Sequence, residues 1–198
     1  MTDCVSGLTQ SVAVSPRSAC TGAWWTPGCY VDDMAETIHL TLKSNGNQIA
    51  GESTQTDLGR EKTIECLEFK DRVRTARELG TRAPVGRRVH EPLEICKRID
   101  SSSPLLAKAL CKNEKIEGCF RFYRPSPAGD GTTEQFFTIE ISDGRVDSIE
   151  RHSASAIDPA AAMTPPLETV RFVYHTIKWI YEPSGAEYVD NWSTSDAA

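Results

Sequence analysis

The stretch TVRFVYHTIKWIY, residues 169–181, decides the fold because it is apolar on both sides of an alternating pattern. One side carries Val170, Phe172 and Tyr174, and the other carries Val173, Ile177, Trp179 and Tyr181. As a single strand these 13 residues would span roughly 43 Å, at about 3.3 Å per residue. The pattern therefore predicts one long strand that is covered on both of its faces.

Alternation of apolar and polar residues dominates the chain from Met34 onward. Asn45-Gly46 predicts a tight turn after the first alternating run, and Asp143-Gly144 predicts a hairpin between two others. In IECLEFKDRVRT, residues 64–75, the apolar phase shifts at Leu67, which predicts a bulge that bends a strand. A turn through Pro183-Ser184-Gly185 returns the chain as AEYVDNW. About seven or eight antiparallel strands are expected.

One helix is predicted, in HEPLEICKRIDSSSPLLAKAL, residues 90–110. Leu93, Ile95 and Ile99 share a strand face, and the helix follows from Pro104 to Lys112. Ser103 is suited to be its N-cap, and Asn113 can close it in a left-handed conformation. The fold class is therefore mainly β, a small antiparallel two-sheet β-barrel or sandwich with one short α-helix that supports the wall.

The composition excludes several function classes. A formal charge of −6, from 22 basic and 28 acidic residues, argues against a nucleic-acid partner. No apolar run approaches the roughly 20 residues that a membrane-spanning helix needs, so membrane insertion is not expected. Seven cysteines without a C-x-x-C spacing favour packed thiols over a metal site.

A search for chemistry finds no catalytic, cofactor-binding or metal-binding residues to nominate. Nucleophile-elbow, phosphate-loop and zinc-helix motifs are absent from the sequence. His39, His90, His152 and His175 each lack a second ligand at helix or strand spacing. We therefore expect a protein that is not an enzyme and that carries no cofactor.

The ends of the chain differ from its body. Residues 1–33 are rich in Ser, Thr, Gly and Pro, show no sustained period and lack the pattern of a secretory signal. We expect a disordered extension there, with Met34 as a possible true start, although a functional tail anchored by Trp24 and Trp25 is the alternative. The folded domain is expected over residues 34–192, followed by a tail over residues 193–198.

Four segments, in this order, closely resemble the haemolysin-coregulated protein (Hcp) family of bacterial type VI secretion systems. They are GEST at 51–54, GRRVHEPLEICKRIDSSSPLLAKAL at 86–110, RPSPAGDGTTEQFFTIEI at 124–141 and FVYHTIKWIY at 172–181. The resemblance runs from Met34 to about Trp192 without large gaps.

The resemblance implies a two-sheet β-barrel that assembles into a homohexameric ring. It further implies rings stacked into a tube inside contractile sheath proteins, a spike protein at the tube tip and effector proteins in the lumen. The expected course is assembly in the cytoplasm, followed by expulsion from the cell without a cleavable signal peptide.

A ring needs two different complementary surfaces on each subunit, which suits a strand that is apolar on both faces. We expect the subunit interface at Val173, His175, Ile177, Trp179 and Tyr181. By the resemblance, Thr75 to Arg88 is an extended loop that reaches an adjacent ring, and the residues expected to make that contact are Arg77, Glu78, Arg82, Arg87 and Arg88. The alternative interpretation of the same segment is a solvated surface loop.

Two alternatives stay open on the sequence alone. The first is a monomeric β-barrel that binds a small ligand in its interior, and the second is a hydrolase whose metal or thiol site is assembled across strands. The mass of the native particle separates the first from a ring, and metal analysis or sensitivity to alkylation would reveal the second.

Overall fold

Twelve β-strands and one α-helix make up the part of the chain that the computed structural model describes, residues 36–77, 84–155, 157 and 164–191. The expectations for residues 1–33 and 193–198 lie outside these ranges. The strands are Thr37–Ser44 (β1), Asn47–Ile49 (β2), Ile64–Cys66 (β3), Glu68–Lys70 (β4), Val73–Arg77 (β5), Pro84–His90 (β6), Leu93–Arg98 (β7), Ile116–Pro125 (β8), Thr133–His152 (β9), Leu167–Val173 (β10), Thr176–Tyr181 (β11) and Ala186–Asn191 (β12). The helix is Ser103–Cys111 (α1), and a short 3-10 helix covers Asp57–Gly59. No helix within the described residues is long and apolar enough to cross a membrane.

The strands form two layers and a separate hairpin, and every pair is antiparallel. The first layer runs β2-β1-β8-β9-β11-β12, with β3 on the same edge of β1 as β2. The second layer runs β9-β10-β7-β4, because the last part of β9 leaves the first layer and pairs with β10. Strands β5 and β6 pair only with each other among the described residues.

The core lies between the two layers. Leu40, Phe120 and Ile141 enter it from the first layer, and Ile95 and Phe172 enter it from the second. The rings of Phe120 and Phe172 meet edge to face with their centroids 6.3 Å apart. Each layer thus buries one face, as antiparallel sheets commonly do.

The predicted closed barrel is wrong for the described residues. The path of paired strands ends at β2 on one side and at β4 on the other, and these two strands do not pair. The mainly β class, the antiparallel pairing and the single helix are confirmed.

The predicted long strand at residues 169–181 is also wrong. The chain forms β10 in the second layer, breaks at Tyr174 and His175, and resumes as β11 in the first layer. Val170 and Phe172 point inward before the break, whereas Ile177 points inward after it. The inward-facing residues therefore change from even-numbered to odd-numbered positions where the chain changes layers. In the sequence, this change produces the same pattern as a single strand that is buried on both faces.

Asp143-Gly144 forms no hairpin, contrary to the prediction. Strand β9 continues through both residues, with Asp143 at a φ of 53°. Opposite them on β8, Ile116 pairs with Gly144 and Gly118 pairs with Ile141, so β9 carries an extra residue and bends. The bend carries β9 from the first layer into the second.

Two other predicted turns are present in the structure, whereas the shift in apolar phase at Leu67 does not come from the predicted bulge. Asn45 and Gly46 both have positive φ and join β1 to β2, and Gly185 has positive φ in the turn from β11 to β12. The shift at Leu67 is not a bulge within one strand. There the chain leaves β3, which pairs with β1, and enters β4, which pairs with β7.

The helix begins one residue earlier than predicted. Its N-cap is Ser102, and the Ser103 hydroxyl does not cap it but donates to Glu168 at 2.5 Å. Leu106 and Ala109 are fully buried, and Asn113 closes the end with a φ of 51°, as expected. On β7 the third inward residue is Lys97 and not the predicted Ile99, which is exposed.

Candidate assembly interface

Strand β12 is one of two long open edges of the described sheet, and the other is the last part of β9, residues 145–152, which pairs only with β10. It pairs with β11 from Ala186 to Asn191, and no strand pairs with its other side among the described residues. The edge strands β2 and β4 have only three residues each. Short edges discourage pairing with another chain, and the β9 edge exposes the charged residues Asp147, Glu150 and Arg151. The six residues of β12 are therefore the better template for a neighbouring strand.

Apolar side chains are exposed on both faces of β12. Tyr188 is 61% exposed and Val189 is 50% exposed. Successive residues of a strand point to opposite faces, so a partner that pairs along this edge could cover both. Exposed apolar side chains along an unpaired edge indicate an interaction surface.

Trp179 supports Tyr188 from the neighbouring strand. The two residues are register partners, and their rings stack with centroids 6.1 Å apart and planes 14° apart. On the other side, the Trp179 ring stacks on His90 at 6.2 Å, and its indole N–H donates to Asp71 at 3.0 Å. This row of rings connects the edge strand to the base of the β5–β6 hairpin.

The predicted interface residues are not gathered into one patch. Val173 is exposed at the end of β10, His175 is exposed in the break before β11, and Tyr181 is exposed at the end of β11. Between them, Ile177 is fully buried in the subunit's own core. Ile177 is therefore unavailable to a neighbouring subunit as the structure stands, and Trp179 is half-buried under Tyr188.

The predicted unstructured loop is largely a hairpin. Residues 75–77 belong to β5 and residues 84–88 belong to β6, with Thr75 opposite Arg88. Glu78 and Arg82 lie outside the described residues, as do the side chains of Arg77 and Arg87. The guanidinium of Arg88 binds Asp190 of β12 within the same chain.

Asp190 is the centre of a buried polar cluster that the sequence analysis missed. Its carboxylate is 4% exposed and accepts hydrogen bonds from both Nε and Nη2 of Arg88. Nε2 of His90 lies 2.9 Å from the same carboxylate, and Nδ1 of His90 lies 3.1 Å from the Tyr174 hydroxyl. Burial alone would raise the pKa of Asp190, but the hydrogen bonds from Arg88 and His90 outweigh it and hold the pKa below its ordinary value.

A second buried cluster holds the helix. The ammonium group of Lys97 donates to Glu168 and Asp100, both at 2.8 Å, and Lys97 and Glu168 are 1% and 0% exposed. Arg151 reaches the other oxygen of Glu168 at 3.0 Å. Burial would raise the pKa of Asp100, but hydrogen bonds from Lys97 and Ser102 lower it.

Neither cluster has the form of a catalytic or metal site. In the described ranges, no three His, Cys, Asp or Glu side chains come together as a group that could hold a metal ion. The paired charges instead join separate elements: Asp190 joins β12 to β6, and Glu168 joins β10 to β7 and α1. Such contacts fix the positions of the strands and the helix relative to one another.

Comparison with known proteins identifies the family. Residues 40–181 match the model of the family described as type VI secretion system effector, Hcp. The chain belongs to the Hcp family. A relative from Pseudomonas aeruginosa named major exported protein is 34% identical over 162 residues, which cover 78% of this chain and 93% of that protein.

Solved Hcp structures share the fold. The Hcp1 protein from E. coli EAEC 042 is 26% identical with a TM-score of 0.70, over 80% of this chain and 99% of that one. Another Hcp crystal structure has a TM-score of 0.72 at 23% identity, over 81% of this chain and all of that one. At that identity the second likeness concerns the fold alone.

Family membership confirms the main functional predictions. Hcp proteins are tube subunits of the type VI secretion system and are structural proteins, not enzymes, so both predictions hold for this chain. The alternative of a monomeric ligand-binding barrel gains no support from these relatives.

Proposed function

We propose that this Hcp chain forms homohexameric rings that stack into the secretion tube, with β12 as part of the contact between subunits. The observation that supports the proposal is the open edge of β12, with Tyr188 and Val189 exposed on opposite faces. A ring requires two different surfaces on each subunit. The β12 edge is one of them, and it meets a different surface of the next copy.

The proposed contact extends past both ends of β11, to Val173, His175 and Tyr181. Trp179 supports the contact by stacking on the ring of Tyr188. Ile177 is left out because it is buried within the subunit. Aromatic residues at the centre of an interface contribute most of its binding energy, so Tyr188 is the side chain on which the proposal depends most.

The remaining partners proposed for this chain are those that the family resemblance implies. The tube is enclosed by contractile sheath proteins, ends in a spike protein and carries effector proteins in its lumen. The subunit is assembled in the cytoplasm and then exported without a cleaved signal peptide. The support for export is the Pseudomonas aeruginosa relative, whose name describes an exported protein.

Tyr188→Asp tests the proposed contact. Tyr188 is outside the hydrophobic core, so the variant should keep the circular dichroism of the wild type. It should lose the ring, because a buried interface aromatic contributes about 2 kcal/mol or more to each contact and a charge opposes its burial. Light scattering at equal protein concentration measures the particle mass.

The matched control is Ile157→Asp, which puts the same charge at a residue that is 92% exposed in the connection from β9 to β10. This control should keep the wild-type mass. A folded Tyr188→Asp variant with an unaltered hexameric mass would show that β12 is not part of the contact.

A further inference from the structure

The β5–β6 hairpin is not held to the body by a strand ladder. Val73 pairs with His90 and Arg74 pairs with Val89, but neither strand pairs with any other among the described residues. A hairpin without a neighbouring strand can swing about its base unless side chains fix it. The direction in which it points therefore depends on contacts between side chains at its base.

One contact fixes the β6 side of the base. Arg88 and His90 are two residues apart on β6, so their side chains point to the same face, where both reach Asp190. The Arg88 fork also donates to the backbone carbonyl of Asn191 at 3.3 Å. A bidentate pair between a guanidinium and a carboxylate sets an angle as well as a distance.

Another contact fixes the chain where it enters β5. Asp71, two residues before Val73, accepts the Trp179 indole N–H at 3.0 Å. The backbone N–H of Glu91 donates to the Arg72 carbonyl at 3.0 Å, which joins the two chains at the base. The entry is thus tied to β11 and the exit is tied to β12.

We propose that Asp190 is a positioning residue for ring stacking: it fixes the base of the β5–β6 hairpin against β12 and so sets the direction of the hairpin. The inference rests on the proposed function, in which rings stack, and on the contact with the adjacent ring that the family resemblance implies for residues 75–88. The burial of Asp190 makes the contact strong, because a buried charge pair loses far more when one partner is removed than a solvated pair does. The edge strand therefore has two functions, since Tyr188 and Val189 face the neighbour in the ring and Asp190 holds the hairpin for the ring above.

Asp190→Asn provides the test, because it removes the charge and keeps the shape. Glu187→Gln is the matched control on the same strand, where the Glu187 carboxylate pairs with Lys178 at 2.7 Å and does not hold the hairpin. Hydrogen exchange on single rings should show amides of residues 85–90 exchanging at least about tenfold faster in Asp190→Asn, and unchanged in Glu187→Gln. Amides of β7 and β10 should keep their wild-type rates in both variants, which separates local release of the hairpin from a general loss of stability.

The number of stacked rings is a second measurement, and it would not change if Asp190 only stabilised the fold. Light scattering should show the same ring mass for Asp190→Asn and the wild type, while electron microscopy at high concentration should show at least about tenfold fewer stacked rings in the variant. Should Asp190→Asn not fold, Asp190→Glu keeps the charge and displaces the carboxylate, and it should still accelerate exchange in residues 85–90 alone.

Equal exchange of residues 85–90 in Asp190→Asn and Glu187→Gln, or an unchanged number of stacked rings, would overturn the inference. Failure of the proposed function looks different. A wild-type chain that forms no ring would remove the stacking role, whereas the comparison of exchange rates would still report whether Asp190 fixes the hairpin.

Discussion

The burial of a single residue, Lys97, differs from what the apolar pattern of its strand predicts. Leu93, Ile95 and Ile99 are expected to share an apolar strand face, yet on that side Lys97 is buried and Ile99, just past the end of β7, is exposed. The reason lies 71 residues away, where Glu168 pairs directly opposite Lys97 in the adjacent strand. A single sequence does not reveal such a long-range partner, so a buried lysine is read as a surface residue.

Lys97→Met should destabilise the subunit by about 3–5 kcal/mol, because it leaves the carboxylate of Glu168 buried without its ammonium partner. The double variant Lys97→Met with Glu168→Leu should recover most of that loss, since an apolar pair of similar size replaces both charges. Urea unfolding measures the free energies of all the variants.

The control for this prediction is Lys178→Met at the partly exposed pair with Glu187, which should cost less than about 1 kcal/mol. Equal losses for Lys97→Met and Lys178→Met would show that the buried cluster contributes no more than a surface pair.

The cysteines should differ in reactivity. Burial raises the pKa of the Cys66 thiol to about 12, so almost none of it is thiolate near neutral pH. Cys111 is exposed at the end of α1. Because the thiolate is the reacting form, iodoacetamide at pH 8 should modify Cys111 in the native protein and leave Cys66 untouched, as mass spectrometry of the digested protein can show. Rapid labelling of native Cys66 would contradict the packing around it.

The elements show what local signals can and cannot predict. Asn45-Gly46 predicts its hairpin correctly because both residues take up positive φ and the turn needs nothing else. Asp143-Gly144 carries the same signal, but β9 has partners on both sides of the bend, with β8 and β11 before it and β10 after it. These long-range pairs keep the strand continuous, and the two residues become its corner.

The same reasoning explains the misread strand at residues 169–181. Its two apolar faces come from a change of layer at Tyr174 and His175, where the inward parity reverses. The sequence shows the reversal as a run that is apolar throughout, and nothing local distinguishes a change of layer from a strand that is buried on both faces. The family resemblance identified the fold, whereas the argument from a doubly covered strand did not hold.

Gly144→Ala should destabilise the corner by about 1–3 kcal/mol, the range found for overpacking. A Cβ at residue 144 would lie 2.9 Å from the Val173 carbonyl oxygen and 3.0 Å from Cγ1 of Ile116. Asp143→Gly is the contrast, because a glycine adopts the φ of 53° without strain, and it should change stability by less than about 1 kcal/mol. Thermal unfolding of both variants measures the difference, and an unaffected Gly144→Ala would argue against this close approach.

At the scale of the whole molecule, the described part of the chain is an open two-layer sheet, and β12 is a free edge of its first layer. Tyr188 and Val189 are exposed on that edge, and in the proposed ring a second copy of the chain covers them. A local signal for this surface is the pair Tyr188 and Val189 in AEYVDNW, residues 186–192, two apolar residues in succession that cannot both face the same side of a strand. The interface predicted at Val173, His175, Ile177, Trp179 and Tyr181 was based on the two apolar faces of residues 169–181 and did not consider β12.

The mass of the native particle tests this claim most directly. Light scattering on the purified chain at micromolar concentration should give about six times the 21.8 kDa of the single chain. A homogeneous, folded particle of 21.8 kDa under the same conditions would contradict the account, because the β12 edge would then be stable in water without a partner.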